Sequence, residues 1–450
     1  MPMRHLWISV IGAGTVLSAC DNRTLRVTAP DVVQPSALSS ASALPTVTAA
    51  VYGDFDYAYA GDAGDNEGII EDSGLLGDEF HSSDTFETRI QMDQRAITAD
   101  NSSSENNLIR LQRARATGEF AVQQYATLKP NAALEAEAMS FVGFTYVITG
   151  ETYCSGIPFS NTLPNGTIDY GKLETTAEIF ADAIARFDSA AAVLSKDTIS
   201  GDAAQIPIEQ NLAAVGLGRA ELDAGNYAAA AAAVASVPTT FEYDAGYSQS
   251  NGRTSNGVWE YTWNEGRYTV ADREGGVGLP FRSANDPRVQ WVNSGGLGFD
   301  NFDSLYLENK YTSYNSPIAI ATGIEARLIQ AEAALKGGDM ATFLSNISAA
   351  RQQSYVANGA GAAAAVTAVP AGMTPLQFLF QERAFDLWLT AHRLGDMRRL
   401  ITQYNQGVNT VYPNGSYTPH PGVFGNDVSL PLPVDEAGNP NYKACDPTAT

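Results

Sequence analysis

Two stretches set an aromatic ring beside a basic or imidazole side chain: Phe80-His81 followed by Phe86-x-x-Arg89, and Trp263 followed by Arg267-Tyr268. An aromatic face stacks on the apolar C–H surface of a ring-shaped ligand, while a guanidinium, amide or carboxylate nearby reads its hydroxyls. These seven residues lie in polar segments rich in Gly, Asn and Asp, where binding groups tend to be carried, and are the ligand-binding candidates. Tyr52, Tyr57 and Tyr59 have the same chemistry but share one helical face, and read as core. Asp62, Asp65, Glu67, Glu71 and Asp72 crowd a Gly-rich segment. A calcium site needs five or more converging oxygens, and their spacing is not that of a helix–loop–helix calcium loop, so they read as a solvated acidic loop.

Catalytic patterns are missing. No HExxH, GxSxG or phosphate-binding Gly-rich loop occurs, and no spacing selects a pair among the 50 acidic residues. The 4 His are scattered and the 3 Cys form no CxxC, so the expectation is no catalytic residue, no metal centre, no cofactor and no enzyme.

The cysteines carry other chemistry. Residues 1–4 are a short positive segment, and residues 6–17 are mostly apolar but too short to cross roughly 30 Å of hydrocarbon. Leu17-Ser18-Ala19-Cys20 then places small residues before a thiol, which is similar to the lipobox of bacterial lipoproteins. Residues 1–19 thus read as a lipoprotein signal peptide and Cys20 as the lipidation site. Residues 20–45, rich in Pro, Ser, Ala and Thr, read as a flexible tether with an r.m.s. span of about 25–30 Å. Acyl chains anchor by roughly 0.8 kcal/mol per buried methylene, so no spanning helix is needed. With Cys20 acylated, Cys154 and Cys445 remain, and an oxidising compartment makes them the disulfide candidate.

Composition bounds the rest. Across 450 residues, 44% are hydrophobic and 17% charged, enough for a sizeable core. The net charge of −23 excludes nucleic acid as a partner, because phosphate neutralisation needs the opposite sign. Anionic lipid surfaces repel such a chain too, unless a covalent anchor holds it there.

Apolar residues recur at three and four over 108–128, 134–148, 177–194, 212–222, 324–335 and 376–400, which predicts helices. Two windows end in tight turns that open another helix, Asp223-Ala224-Gly225-Asn226 and Lys336-Gly337-Gly338-Asp339. That αα-hairpin pattern resembles tetratricopeptide repeats, whose units stack because none buries its apolar face alone. Thr374-Pro375 with Gln377 predicts a capping box with Pro at the first helical position. Residues 50–105 and 240–320 show few clean periods and read as loop-rich inserts, with a short strand over 258–263.

Three ordered segments resemble the SusD/RagB family of outer-membrane nutrient-binding lipoproteins. One is Gln381-Glu382-Arg383-Ala384-Phe385-Asp386-Leu387, running on to His392-Arg393-Leu394-Gly395-Asp396-Met397-Arg398-Arg399. A second is Asn285-Asp286-Pro287-Arg288 with Ala326-Arg327-Leu328-Ile329-Gln330-Ala331-Glu332. The third is the tail, Leu430-Pro431-Leu432-Pro433 and Asn439-Pro440-Asn441. Thr390-Ala391 departs from the family, which often has Glu-Gly there. Glu382, Arg383, Asp386, Arg393 and Asp396 read as structural, since at spacings of three and four they can pair within the helix or with its neighbours.

The resemblance implies a mainly α fold of tetratricopeptide-like helix pairs, with loop-rich inserts and a few short strands. Residues 46–240 would be the N-terminal SusD-like helical part and 241–450 the C-terminal RagB/SusD part, together one compact unit. It further implies a lipid-anchored protein of the outer membrane, facing the outside. Such a protein binds a glycan, an oligosaccharide or in some members a peptide, and delivers it to a SusC-like TonB-dependent transporter. The rival readings are a glycoside hydrolase on a helical scaffold and a tetratricopeptide-type protein-binding scaffold.

Overall fold

The periodic windows fold as helices whose chief partner is usually the next helix in sequence. The structure, a computed structural model, describes residues 38 and 40–449 apart from 65, 129–130, 164–165 and 197–203. The signal peptide, Cys20, most of the tether and Asp65 lie outside the described residues. In chain order the helices are α1 (Leu44–Ala60), α2 (Ile69–Leu76), α3 (Glu87–Asp93), α4 (Ser102–Leu128), α5 (Ala132–Thr152), α6 (Thr176–Lys196) and α7 (Ile206–Asp223). They continue as α8 (Tyr227–Ala233), α9 (Gly257–Trp259), α10 (Gly323–Lys336), α11 (Met340–Ala357), α12 (Pro375–Asp386), α13 (Arg393–Thr402) and α14 (Val408–Val411).

Helix α5 is buried along almost its whole length, because α4 covers one side and α6 the other. Helix α6 buries only Ile179, Phe180, Ala183, Phe187, Ala190 and Leu194, a stripe at helical spacing. Glycines set how closely these helices approach. The Phe187 ring sits between Gly143 of α5 and Gly216 of α7, where an added Cβ would stand 2.6 and 2.2 Å from it. The two hairpin turns are closed by Gly225 (φ 80°) and Gly338 (φ 78°), left-handed positions that favour glycine. After the second, the Asp339 side chain accepts from Thr342 N at 3.0 Å and starts α11. Thr374 and Gln377 form the expected capping box.

Among the described residues the strands lie in five two-stranded sheets, three carried by the inserts and two by the connection between α5 and α6. Strand Phe80–Ser82 pairs antiparallel with Tyr268–Val270, and Trp291–Leu297 forms a hairpin with Ser304–Glu308. Among the described residues no helix is long and apolar enough to cross a membrane.

Four local expectations differ. The last residues assigned to the tether are helical, since α1 begins at Leu44 behind a short 3-10 turn. The 50–105 insert carries the rest of α1 together with α2 and α3. Residues 258–263 form no strand: Asn256 caps α9, which runs into a wide π-type turn over Glu260–Asn264. The acidic loop is not solvated. Asp62, Glu67, Glu71 and Asp72 are buried; Asp72 is bonded by Asn107, Glu67 pairs with Arg89, and Glu71 accepts from Gly68 N at the start of α2.

The window 376–400 is two helices, not one. Between α12 and α13, Leu389 (φ 54°) and Ala391 (φ 57°) adopt left-handed backbone, which costs a non-glycine residue about 1 kcal/mol or more. Side chains from four distant segments hold the break. Lys310 donates to Trp388 O, Tyr311 to Leu389 O (2.9 Å), Tyr59 to Thr390 O (2.9 Å) and Arg219 to Ala391 O (3.1 Å). Glu79 accepts from Leu389 N at 2.9 Å. The departure from the family's Gly thus falls on a residue whose backbone favours glycine.

The family-like residues around the break are structural. Arg288 bonds Glu382 (2.9 Å) and Asp386 (3.0 Å) of α12. Arg383 reaches Asp396 of α13 at 2.7 Å, and Arg399 bonds Asp396 (2.6 Å) and Glu332 of α10. Burial would raise the Asp396 carboxyl, but Arg383 and Arg399 outweigh it and hold it well below the usual carboxylate range. At the tail, Leu430 N donates to Thr152 O (2.8 Å) and Cys154 N to Leu430 O (2.9 Å). Cys154 and Cys445 are joined as a disulfide with Cα atoms 5.9 Å apart.

Three outcomes are expected. Gly216→Ala drives a methyl into Phe187 and should lower stability by about 1–3 kcal/mol, read from the urea midpoint. Cys445→Ser should cost roughly 2–5 kcal/mol relative to the oxidised chain and abolish the mobility difference between reduced and unreduced gels. Glu308, buried and bonded by Lys310 N and Tyr311 N (both 2.9 Å), is pushed by burial up to about 7. A raised carboxyl stabilises the fold fully below its ordinary value and loses that contribution as pH rises through about 7. Burial lowers neighbouring Lys310 to about 8, so its contribution changes only at higher pH. Between pH 5 and 7.5 the unfolding free energy should fall, and Glu308→Gln should remove on the order of 3 kcal/mol of that slope.

Candidate functional site

The strand pair Phe80–Ser82 and Tyr268–Val270 brings the two sequence-predicted clusters together. Within it Phe80 and Tyr268 are fully buried, with ring centroids 5.7 Å apart, so they pack the floor. Arg89 and Arg267 lie just above and meet at one buried carboxylate. Asp84 accepts from Arg89 Nη1 at 2.5 Å and from Arg267 Nη1 at 2.9 Å. Asp84 also caps the backbone N–H groups of Thr85 (2.6 Å) and Phe86 (3.3 Å), which fixes the entry to α3.

The guanidinium planes support exposed rings. Arg89 and Arg267 each sit 5.0 Å from the centroid of Phe86, which is 52% exposed. Arg267 also stacks 3.9 Å from Phe299, 42% exposed, so its plane is held between two phenyl rings. Phe302, in the same turn, is 59% exposed. The turn is seated on both clusters: Phe299 N donates to Gly266 O (2.9 Å) and Asp300 N to Ser83 O (3.1 Å). At Gly298 a Cβ would stand 2.4 Å from Ser83 Cβ, so glycine lets the two segments touch. Trp263 is 36% exposed and donates its Nε1 to Glu308 O at 2.6 Å.

Beside this aromatic rim opens a pocket of about 490 Å³. His81, Asp272, Arg282, Asp303, Tyr306 and Asn414 line it. Arg282 covers the Tyr306 ring at 3.7 Å. On its floor His81 Nδ1 lies 2.9 Å from both Asp93 and Glu274, and Nε2 lies 3.5 Å from Asp303. Asp303 in turn is 2.6 Å from His420 Nε2. Burial works against charge on His81, but Asp93, Glu274 and Asp303 outweigh it and raise the imidazole well above its ordinary range. Burial likewise opposes ionisation of Asp303, yet its contacts with His81 and His420 bring it down to about 2. Glu274 is pushed by burial, and then by Asp93, up to about 7. The donor atoms of His81, Asp303 and His420 lie within 4.8 Å of one another, as do those of His81, Asp93 and Glu274.

Of the seven candidates, Phe86 and Trp263 present surface, Arg89 and Arg267 stack beneath the rim, His81 lines the pocket, and Phe80 and Tyr268 are interior. Sequence reasoning missed Phe299, Phe302, Asp303, Tyr306 and His420. The signal available was Gly295-Gly296-Leu297-Gly298 followed by Phe299-Asp300-Asn301-Phe302, two phenyl rings in a Gly-rich turn with little apolar company.

No family model matches the sequence, and no curated protein matches it. Solved structures do resemble it in architecture. A SusD-like carbohydrate-binding protein from Bacteroides fragilis superposes with a TM-score of 0.63 at 15% identity, over 90% of this chain and 99% of its own. A laminarin-binding SusD-like protein gives 0.62 at 13% identity, over 90% and 99%. A SusD/RagB family protein from Bacteroides thetaiotaomicron gives 0.60 at 14% identity, over 88% and 94%. The helical scaffold is thus an arrangement already known in solved proteins. This chain has the fold of the SusD/RagB proteins.

Proposed function

We propose that this chain is a lipid-anchored protein of the outer-membrane surface that captures a glycan or oligosaccharide and hands it to a SusC-like TonB-dependent transporter. The observation that carries the reading is the exposed trio Phe86, Phe299 and Phe302 beside a polar pocket that Asp303, next to Phe302, helps to line. Exposed aromatic rings backed by guanidinium planes offer flat apolar surfaces for sugar C–H faces. Asp272, Arg282 and Asn414 in the pocket supply the donors and acceptors that hydroxyls need. Trp263 and Arg267 extend that surface, while Phe80, His81, Arg89 and Tyr268 support it from beneath. Two of the similar structures bear carbohydrate-binding or laminarin-binding names, which supports the same ligand class.

Acylation of Cys20 is the proposed anchor, with the segment after it as spacer, and the stacked helices are the proposed face toward the transporter. The bound ligand leaves chemically unchanged, since the role is capture and not hydrolysis. Calorimetric titration against a panel of oligosaccharides and peptides, laminarin fragments first, tests this, with the ligand recovered and checked by chromatography. Saturable binding with intact ligand is expected, and Phe86→Ala or Phe299→Ala should each weaken it about tenfold, the loss of one stacking contact. Cleaved ligand would overturn the capture reading. Silence across the panel would overturn binding by the isolated chain.

A further inference from the structure

We propose that His81, His420 and Asp303, with Asp300 beside them, bind a divalent transition-metal ion such as zinc on the floor of the pocket. The inference stands apart from the glycan reading, because it rests on donor atoms and not on the aromatic rim. Two of the three described histidines meet here although 339 positions separate them (420 less 81). Imidazole nitrogens with carboxylate oxygens suit zinc and its neighbours, whereas magnesium and calcium prefer oxygen alone. Two carboxylates and two neutral imidazoles would also balance the charge of a divalent ion.

Two of the donor spacings are close to those of a tetrahedral site. With metal–ligand bonds of about 2.0–2.1 Å, donor atoms stand about 3.3 Å apart. His81 Nε2 is 3.5 Å from Asp303 Oδ2, and His420 Nε2 is 3.6 Å from Asp300 Oδ2. A third contact, His420 Nε2 to Asp303 Oδ2 at 2.6 Å, is a direct hydrogen bond that must open by about 0.7 Å to admit an ion. The His420 side chain is 23% exposed, and its ring stacks beside those of Tyr417 and His81 at 5.6 and 5.7 Å.

A second observation points the same way. The His81 side chain is only 7% exposed, yet its Nε2 has no hydrogen-bond partner and faces Asp303. A buried imidazole nitrogen left unpaired is costly, and metal ligation would satisfy it. Asp300 Oδ2 is likewise buried without a hydrogen bond. Behind the ring, Nδ1 lies between Asp93 and Glu274, each at 2.9 Å. Carboxylates behind an imidazole hold the proton on the far nitrogen and turn the other toward a metal. Asp93 is itself fixed by Ser82 N (2.9 Å) and by the Tyr417 hydroxyl (2.7 Å). An ion here would tie the Phe80–Ser82 strand, the turn before Ser304 and the loop carrying His420 into one floor.

The test uses the full chain without a histidine tag, stripped with chelator and dialysed, then titrated with zinc chloride against a chromophoric chelator. One zinc per chain is expected, with calcium failing to displace it, together with a rise in the thermal midpoint. His420→Ala and Asp303→Asn should each lower zinc affinity at least tenfold and abolish that rise, with circular dichroism matching the parent chain. His420 is partly exposed, so its variant tests the site even if Asp303→Asn unfolds. No stoichiometric zinc, equal affinity in folded His420→Ala, or displacement by calcium would overturn the proposal.

Discussion

Arg288, Arg383 and Arg399 carry full positive charges into a region where their side chains are 1%, 3% and 5% exposed. Leaving any one unpaired would cost roughly 3–5 kcal/mol, so each must find its carboxylate wherever the chain puts it. The partners come from α7, α10, α12 and α13: Asp223, Glu332, Glu382, Asp386 and Asp396. Apolar faces alone would let helices slide or rotate by a turn at little cost. The charged seam admits one register, and the helix break between α12 and α13 is where the seam turns a corner. Its net stabilisation is small, because desolvation offsets most of the attraction; what it supplies is specificity.

The inserts depend on that register. Lys310 and Tyr311 belong to the segment after the Ser304–Glu308 strand, and both donate to the helix break. Glu79, immediately before the Phe80–Ser82 strand, accepts from the same break. The floor of the pocket is therefore hung from the scaffold at one place by groups from both inserts. Phe86 and the Phe299–Phe302 turn stand on that floor through Asp84, Ser83 and Gly266.

Much of the scaffold was legible because its signals are local. Helical periodicity, Gly at hairpin turns and the Thr374–Gln377 box each involve residues within a few positions of one another. The break at 387–392 was not legible, since the apolar period runs straight through it and only distant donors stabilise the left-handed backbone. Residues 258–263 alternate like a strand, but the Asn256 cap and the lack of a pairing partner make them helical. The acidic segment looked solvated because Arg89, Arg110 and Asn107, which take it inside, come from later helices. At the site, Phe86 and Trp263 could be picked by their polar surroundings. His420 could not, since its link to His81 and Asp303 exists only in three dimensions. Two of the three family-like motifs supply the charged residues of the seam other than Asp223.

The bridge between Cys154 and Cys445 encloses everything from the end of α5 to the tail in one covalent ring, 291 residues around. A pull applied between the two ends of the chain would run through α1 to α5, cross the bridge and leave by the last few residues. The enclosed helices and the insert over 240–320 would bear none of that tension, whereas the insert over 50–105 lies on the loaded path. At about 3.5 Å per extended residue, some 1,000 Å of contour is withheld from stretching as long as the bridge is intact. For a body pulled at both ends, the insert over 240–320 and its share of the pocket are mechanically sheltered, and the segment before the bridge, which carries His81 and Phe86, is the part that yields.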